Sequence, residues 1–581
     1  MNRAGQPCST SYDEVPYPGA SHFFTHPDSM ATVATLLGLS PAPVQHCRVL
    51  ELGCAGGSNL IPMALGLPES EFFGIDASGV QIAQGQRAIE AVGLKNITLK
   101  HLNMSDVNED LGQFDYIVAH GVFSWVPEAV RNKILAICKQ NLAPNGVAYV
   151  SYNTYPGWHM HRTVRDMMVY GTRNTVEPQM RIDRARALLD FIADSVATAG
   201  VDSVKGSAAT ATDVSNRLLT EAYAGLLKGE KERLGSSTDS YLFHDALEDE
   251  NNPIYFHQFA EWAARYGLQY LSEANLSDVF LNDLPSSVTE TLLEMSHDVV
   301  ELEQYMDFLK NRAFRRTLLV HQEVPVSRKL SPDRVLGLHV ASNNRPVSSS
   351  PVSHSISVEE FSSPIGAKLA TDHPVTKAAM LGLADIWPQA VSFDELLEMA
   401  YSRLSSCSEH GTARSPADRV QDAQALSASL LQGFAYGGGM VELHVHAPLF
   451  SREAGERPVA SPWACFQARG VPSVGKLPEN EKQQPLTVTN LRHERVELDG
   501  LTHYVLSHLD GTHSRDAILE GLAKSVVEGK LVLRPLNGGR QPEGQQQGSE
   551  PIADIEQARR TLEGHLDATL RRLARAALLL A

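Results

Sequence analysis

The stretch Arg48-Val-Leu-Glu-Leu-Gly-Cys-Ala-Gly-Gly-Ser-Asn-Leu60 runs an apolar strand into a tight glycine turn and straight on into a helix. Asp76 follows 23 residues after Gly53, at the end of a second apolar strand, Phe72-Phe-Gly-Ile-Asp. A strand, a Gly-rich turn, a helix and an acid about 20 residues on form the signature of a nucleoside-binding α/β domain. Gly53 and Gly57 let backbone approach a ligand closely, and Ala55 takes the place usually held by the middle glycine. Asp76, with Ala77 beside it, is placed to accept hydrogen bonds from ribose hydroxyls. Glu51, at the end of the first strand, turns the reading from a dinucleotide to S-adenosylmethionine: a carboxylate there repels a pyrophosphate but holds the cationic amino-acid end of that cofactor.

Outward from this turn, strands and helices alternate. Strands are read at 47–52, 71–76, 97–102, 114–120 and 147–152. Ser78-Gly-Val-Gln81 reads as a capping box opening a helix that Gly93 closes, and Pro127 opens another. Alternating βα units imply a mostly parallel, doubly wound Rossmann-like sheet. Leu268–Glu273 and Phe314–His321 read as its sixth and seventh strands. The helical stretch at about 160–255 is then an insertion above the active site. Residues 340–365, rich in Ser, Pro, Val and Asn, read as a linker. Residues 366–581 read as an α+β winged-helix-like module: helices near His373, Ser392 and Pro416, an alternating strand at 440–446, and a second related unit from Thr487. The last helix carries Ile555, Ala558, Leu562, Leu566, Leu570 and Leu573 on one face, a core stripe.

Composition narrows the classes. A chain of 581 residues needs more than one domain, and 43% hydrophobic residues supply the cores. The net charge of −18 disfavours binding through phosphate contacts, so no nucleic-acid partner is expected. On so acidic a chain, the C-terminal module reads as a protein-docking or homodimer surface. The six cysteines are scattered without a C-x-x-C, which indicates neither a zinc knuckle nor a disulfide framework. With no signal-like start and no apolar stretch long enough for a bilayer, the expected compartment is the cytoplasm, with no membrane partner.

The remaining candidates lie at strand ends. Asn103 with Met104, after the third strand, is placed to meet adenine, with Asp106 as rival. His120 sits at the carboxyl end of the fourth strand, where doubly wound sheets bind ligands. After the fifth strand, Ser151-Tyr-Asn-Thr-Tyr-Pro-Gly-Trp158 is dense in rings and amides. Tyr152 and Tyr155 can line a channel for an alkylammonium chain, and Asn153 can accept a hydrogen bond from an attacking amine. Tyr17, in an aromatic and proline-rich arm, is placed to close the pocket. His244 and Asp245 are candidates either for substrate contact or for helix packing. The pair His159/His161 lacks a nearby acid or cysteine ligand and the pair His444/His446 sits on an alternating strand, so both read as solvated faces, with no metal expected.

The motifs Val49-Leu-Glu-Leu-Gly-Cys, His120-Gly-Val-Phe-Ser-Trp-Val-Pro and Ser151-Tyr-Asn-Thr-Tyr-Pro-Gly-Trp occur in this order, and with Tyr241-Leu-Phe-His-Asp-Ala-Leu-Glu and Gln304-Tyr-Met-Asp-Phe-Leu-Lys-Asn-Arg they resemble bacterial class I methyltransferases that carry a methyltransferase regulatory domain. Rickettsial lysine methyltransferases of outer-membrane proteins are the best-known members. The resemblance covers roughly residues 10–325, which it makes the methyltransferase domain, with a regulatory region at about 215–310. It implies S-adenosylmethionine as cofactor and a protein lysine ε-amine as acceptor. His120, Tyr152, Asn153 and Tyr155, read from the strand ends, are the candidates for orienting that amine. Three alternatives stand beside it. A sealed pocket would favour a small-molecule N- or O-methyltransferase. A cofactor-binding regulator without catalysis is opposed by the intact Glu51 and Asp76. A nucleic-acid methyltransferase is opposed by the charge and by the absence of an N-P-P-Y-type motif.

Overall fold

The computed structural model describes residues 11–202, 211–281, 284–349, 357–406, 415–470, 486–529 and 554–580, apart from Pro16 and Pro18. Seven strands form one sheet: β1 (Arg48–Leu52), β2 (Glu71–Asp76), β3 (Ile97–His101), β4 (Phe114–Ala119), β5 (Leu142–Asn153), β6 (Leu268–Glu273) and β7 (Phe314–His321). Their order is β3-β2-β1-β4-β5-β7-β6. The first five run parallel, and β7 lies antiparallel between β5 and β6. The chain reverses direction from β1 at the gap between β1 and β4, the crevice where such sheets bind ligands.

Both faces are covered. Val49, Tyr116, Val118, Tyr149, Leu318 and Val320 share one core with the helix Pro27–Leu36. Leu50, Leu52, Ile117, Val150 and Leu319 face the helices Glu128–Gln140 and Phe256–Arg265. Because strand side chains alternate, this division fixes which residues at the strand ends share a face. Glu51, Ser151 and Asn153 stand on the side of Val49 and Tyr149, whereas Tyr152 stands on the other.

Ser78 caps the helix Gly79–Val92, its hydroxyl accepting from Gln81 N, and Gly93 closes that helix at φ 80°. Four helices between β5 and β6, Trp158–Thr172, Pro178–Asp202, Ala211–Gly235 and Asp239–Ala246, form the expected insertion. They bury an apolar cluster of their own around Val164, Met168, Leu189 and Leu242.

The expected linker is corrected. His339–Ala341 is the central strand of a three-stranded sheet, flanked by Val391–Ser392 and Glu442–His444. Glu359–Ser362 pairs with Lys368–Thr371 and with Arg345–Pro346. Strands of two to four residues are too short to show an alternation against a Ser- and Pro-rich background. Residues 350–356 of the expected linker lie outside the described residues. The expected C-terminal module is also two units. The helices Pro374–Ile386, Phe393–Ser406 and Pro416–Tyr436 pack into the same core as β1 and β4, through Val375, Leu396 and Leu430. Ala460, Val488, Leu506 and Leu519 belong to a separate core, to which the final helix contributes Ala558, Leu562, Leu566, Leu570 and Leu573, while Ile555 is exposed and Trp463 packs in the first core.

Candidate functional site: a saturated amide behind a half-used carboxylate

The glycine turn is shaped as its residue types require. Gly53 and Gly57 have φ of 76° and 74°. A Cβ on Gly53 would stand 2.6 Å from Val122 Cγ2, so the turn excludes any side chain there. Ala55 also has a positive φ, 49°, which an L-residue adopts at a cost. Its N–H donates to Asp76 Oδ2 and Ser78 N–H donates to Asp76 Oδ1, each at 2.8 Å. Asp76 therefore ties the two turns together.

Glu51 is buried, with 4% of its surface exposed. Burial pushes its carboxyl up to about 7, the hydrogen bond from Asn59 opposes that shift, and the charge of Asp76 adds to it. Its Oε1 accepts from Asn59 Nδ2 at 2.8 Å, and its buried Oε2 has no partner. An unpaired buried carboxylate oxygen is costly unless a ligand completes it. The ammonium of S-adenosylmethionine is such a ligand, so the residues present fit the cofactor.

Asn59 sets that carboxylate. Thr25 spends its one hydroxyl proton on His22 O (2.7 Å) and so accepts from Asn59 Nδ2 (2.9 Å). Asn59 Oδ1 accepts from His22 N–H and lies 2.9 Å from His493 Nε2. All four hydrogen-bonding positions of the amide are filled. Asn59, Thr25, His22 and His493 were not singled out as site residues from sequence. Asn59 carried a faint signal, a polar residue immediately before the apolar helix Leu60–Gly66. His493 carried none, since 434 residues separate it from Asn59.

The N-terminal arm packs over this pocket, as expected of it. Tyr17 O accepts from Gln81 Nε2 at 3.2 Å, although the Tyr17 ring itself is 37% exposed. The arm is anchored by His244, whose Nε2 lies 2.6 Å from Val15 O and whose ring stacks on Tyr12. Asp245 pairs with Arg233 at 3.2 Å. Both residues thus hold structure, the packing alternative.

His120 lies under the arm, its ring centroid 3.7 Å from that of His22. Its Nδ1 lies 2.9 Å from Tyr149 Oη and 3.4 Å from Ser151 Oγ. Burial, with Arg316 and His22 nearby, holds His120 well below the ordinary histidine range, and burial lowers His22 to about 4. Both rings are neutral at pH 7. Asn153 is buried on the same face, and its Nδ2 has no partner. Tyr155 stacks on His159 at 4.0 Å, with Tyr255 at 5.2 Å and Arg162 on its hydroxyl.

Tyr152 is corrected. Its ring stacks on Phe259 at 4.1 Å in the core of the opposite face, and its hydroxyl bonds Thr317 Oγ1 at 3.0 Å. Strand alternation turns it away from the pocket that Asn153 enters. Asn103 spends its side-chain oxygen on Ser105 N–H, capping the turn Met104–Asp106. Met104 lies over the glycine turn, its methyl 3.5 Å from where a Gly53 Cβ would stand. Asp106 is exposed.

The histidine pairs are corrected as well. Glu230 lies 2.8 Å from His161. His444 is buried and pairs with Asp28 at 2.7 Å and Glu442 at 3.5 Å. Tertiary contacts supply Glu230 and Asp28, Glu442 lies two residues before His444 on the same strand, and these pairs are structural ties.

Comparison with known proteins agrees with this geometry. Residues 50–148 match the family described as "Methyltransferase domain", 238–321 "Predicted methyltransferase regulatory domain" and 456–578 "PKMT, C-terminal winged helix domain". The RP789 protein of Rickettsia prowazekii is 34% identical over 527 residues, covering 90% of this chain and 87% of the relative. RP028 of the same organism is 38% identical over 255 residues, 44% of this chain and 94% of the relative. The structure of PKMT2 from Rickettsia typhi in complex with AdoHcy matches with a TM-score of 0.77 at 29% identity, over 97% of this chain and 100% of that one. The chain belongs to the class I S-adenosylmethionine-dependent methyltransferases that carry a methyltransferase regulatory domain and a PKMT-type C-terminal winged helix.

Proposed function

We propose that this enzyme transfers a methyl group from S-adenosylmethionine to the ε-amine of a protein lysine. The observation that carries the reading is the likeness to PKMT2 along 97% of the chain, which extends past the cofactor-binding sheet to the insertion and the C-terminal units. Glu51 Oε2 takes the cofactor's ammonium and Asp76 the ribose diol. The backbone of Gly53, Ala55 and Gly57 passes close to the ligand. Ala77, Asn103 and Met104 border the adenine, and Tyr17 lies at the rim.

Bound S-adenosylmethionine supplies a methyl group on a positively charged sulfur. The chain's own groups prepare the acceptor. His22 and His120 present neutral, desolvated rings to an incoming amine, and such surroundings favour its uncharged form. His120 Nε2 and the side-chain amide of Asn153 orient that amine. The aromatic group of Tyr155 and Tyr255 attracts the cationic side chain as it approaches. Alignment of acceptor and cofactor supplies most of the rate. Tyr152 has no part in this arrangement.

Among the described residues no helix is long and apolar enough to cross a membrane. Cys47, Cys54, Cys138 and Cys465 are buried free thiols, which suits a reducing compartment, and we place the enzyme in the cytoplasm.

The test supplies labelled-methyl S-adenosylmethionine with bacterial cell-envelope proteins as acceptors and hydrolyses the products with acid. Label recovered as methyl-lysine supports the reading. Label found only in low-molecular-weight acceptors contradicts it.

A further inference from the structure

The C-terminal winged helix reaches the cofactor pocket through one turn. Its hairpin pairs Leu486–Thr489 with Arg495–Leu498. The connecting turn is clamped on three sides. Asn490 Nδ2 donates to Ala576 O (2.9 Å) and Leu491 N–H to Ala577 O (2.9 Å), which tie it to the end of the final helix. Arg492 donates to Pro388 O (3.1 Å), pairs with Glu442 and lies over the Trp387 ring. Thr489 Oγ1 meets Ser21 Oγ on the arm at 3.2 Å. So held, His493 adopts a φ of 62°, unusual for a residue with a side chain, and its ring is buried against Asn59.

The donor and acceptor roles are forced. A carboxylate only accepts and a backbone N–H only donates, so the contacts to Glu51 and His22 orient the Asn59 amide with Nδ2 toward Glu51. His493 Nε2 must then carry the proton and donate to Asn59 Oδ1. Nδ1 is left bare, and it has no partner. Without the His493 bond, Asn59 Oδ1 loses its closer side-chain partner, Thr25 Oγ1 being at 3.2 Å, and the amide that holds Glu51 is less firmly placed.

We propose that His493 of the winged helix is a positioning residue of the cofactor site, acting through Asn59 to aim Glu51 at the amino-acid end of S-adenosylmethionine. The winged helix is then part of the cofactor pocket. This rests on the assignment of Glu51 to the cofactor's ammonium.

The experiment titrates the full chain with S-adenosylhomocysteine and with 5′-methylthioadenosine, which keeps the adenosine but lacks the amino-acid arm. His493→Ala is expected to weaken S-adenosylhomocysteine at least tenfold and to leave methylthioadenosine within twofold. His493→Gln, whose amide N–H replaces the ring donor, is expected to recover most of the loss. Glu51→Gln should show the same selectivity, and adding His493→Ala to it should weaken binding little further. Equal loss of both ligands in His493→Ala would make the residue a fold support only and overturn the proposal, as would no loss of either. Selectivity in Glu51→Gln without selectivity in His493→Ala refutes only the route through His493. The converse refutes the Glu51 assignment and the route together.

Discussion

His493 Nε2 and Asn59 Oδ1 stand 2.9 Å apart although they come from the winged helix and the glycine turn, 434 residues from one another in the chain. Through Asn59, which donates to Glu51, the contact links the winged helix to the buried carboxylate.

Ala55 is held at φ 49° in a turn that suits glycine. Ala55→Gly should raise stability by about 1 kcal/mol through relief of the left-handed conformation. Gly53→Ala should do the reverse, because its Cβ meets Val122 Cγ2 at 2.6 Å. Urea denaturation of both variants measures the difference; equal midpoints would contradict it.

Glu51 must ionise to hold an ammonium, and burial raises its carboxyl from 4.5 to about 7. Affinity for S-adenosylhomocysteine should therefore rise with pH up to about 7 and level off above it. Glu51→Gln should bind weakly with no such rise. The unliganded protein should lose stability over the same interval, since a carboxyl raised in the fold favours folding below its unfolded pKa and loses that contribution as pH climbs. Calorimetric titration at several pH values, with thermal melts in parallel, checks both.

His444, between Asp28 and Glu442, is raised from 6.5 to about 9: burial lowers it, but the two acids outweigh burial. The stabilisation is fully present below pH 6.5 and is lost as pH rises to about 9. It amounts to ~3 kcal/mol at most. His444→Asn should flatten the fall of melting temperature across that window. An unchanged slope would show that the ring does not carry the charge.

Arg315 is fully buried and bonds Glu273, Glu303 and Asp307, each at 2.8–2.9 Å. Removing it leaves three buried carboxylates, of which Glu303 and Asp307 still pair with Arg312. Arg315→Met should cost about 3–5 kcal/mol of stability. A denaturation midpoint close to that of wild type would contradict the buried network.

The sheet and cofactor turn were legible because their signals are local. An apolar strand, Gly53, Gly57 and Asp76 lie within one βα unit and the strand after it, and glycine is needed where a Cβ would collide. Glu51 stood out in the sequence as an acid at the end of an apolar strand, and the structure buries it with one oxygen unpartnered. Tyr152 was misread because a cluster of rings at a strand end does not say which face each ring takes. Its neighbour Asn153 turns to the pocket and Tyr152 to the opposite core. His444 read as solvated because Asp28 meets it only once the strand Glu442–His444 and the N-terminal helix pack together, and Glu442, two residues before it, was not read as its partner. Asn59, His22 and His493 lay beyond local reading for the same reason: a saturated amide is defined by partners distant in the chain.

The most direct test of the account is calorimetric titration of the purified chain with S-adenosylmethionine, with Asp76→Ala as control. The account predicts one-to-one micromolar binding by the wild type, weakened at least tenfold in a folded Asp76→Ala variant. Folded wild-type protein that binds no S-adenosylmethionine, or binding that Asp76→Ala leaves unchanged, would contradict it.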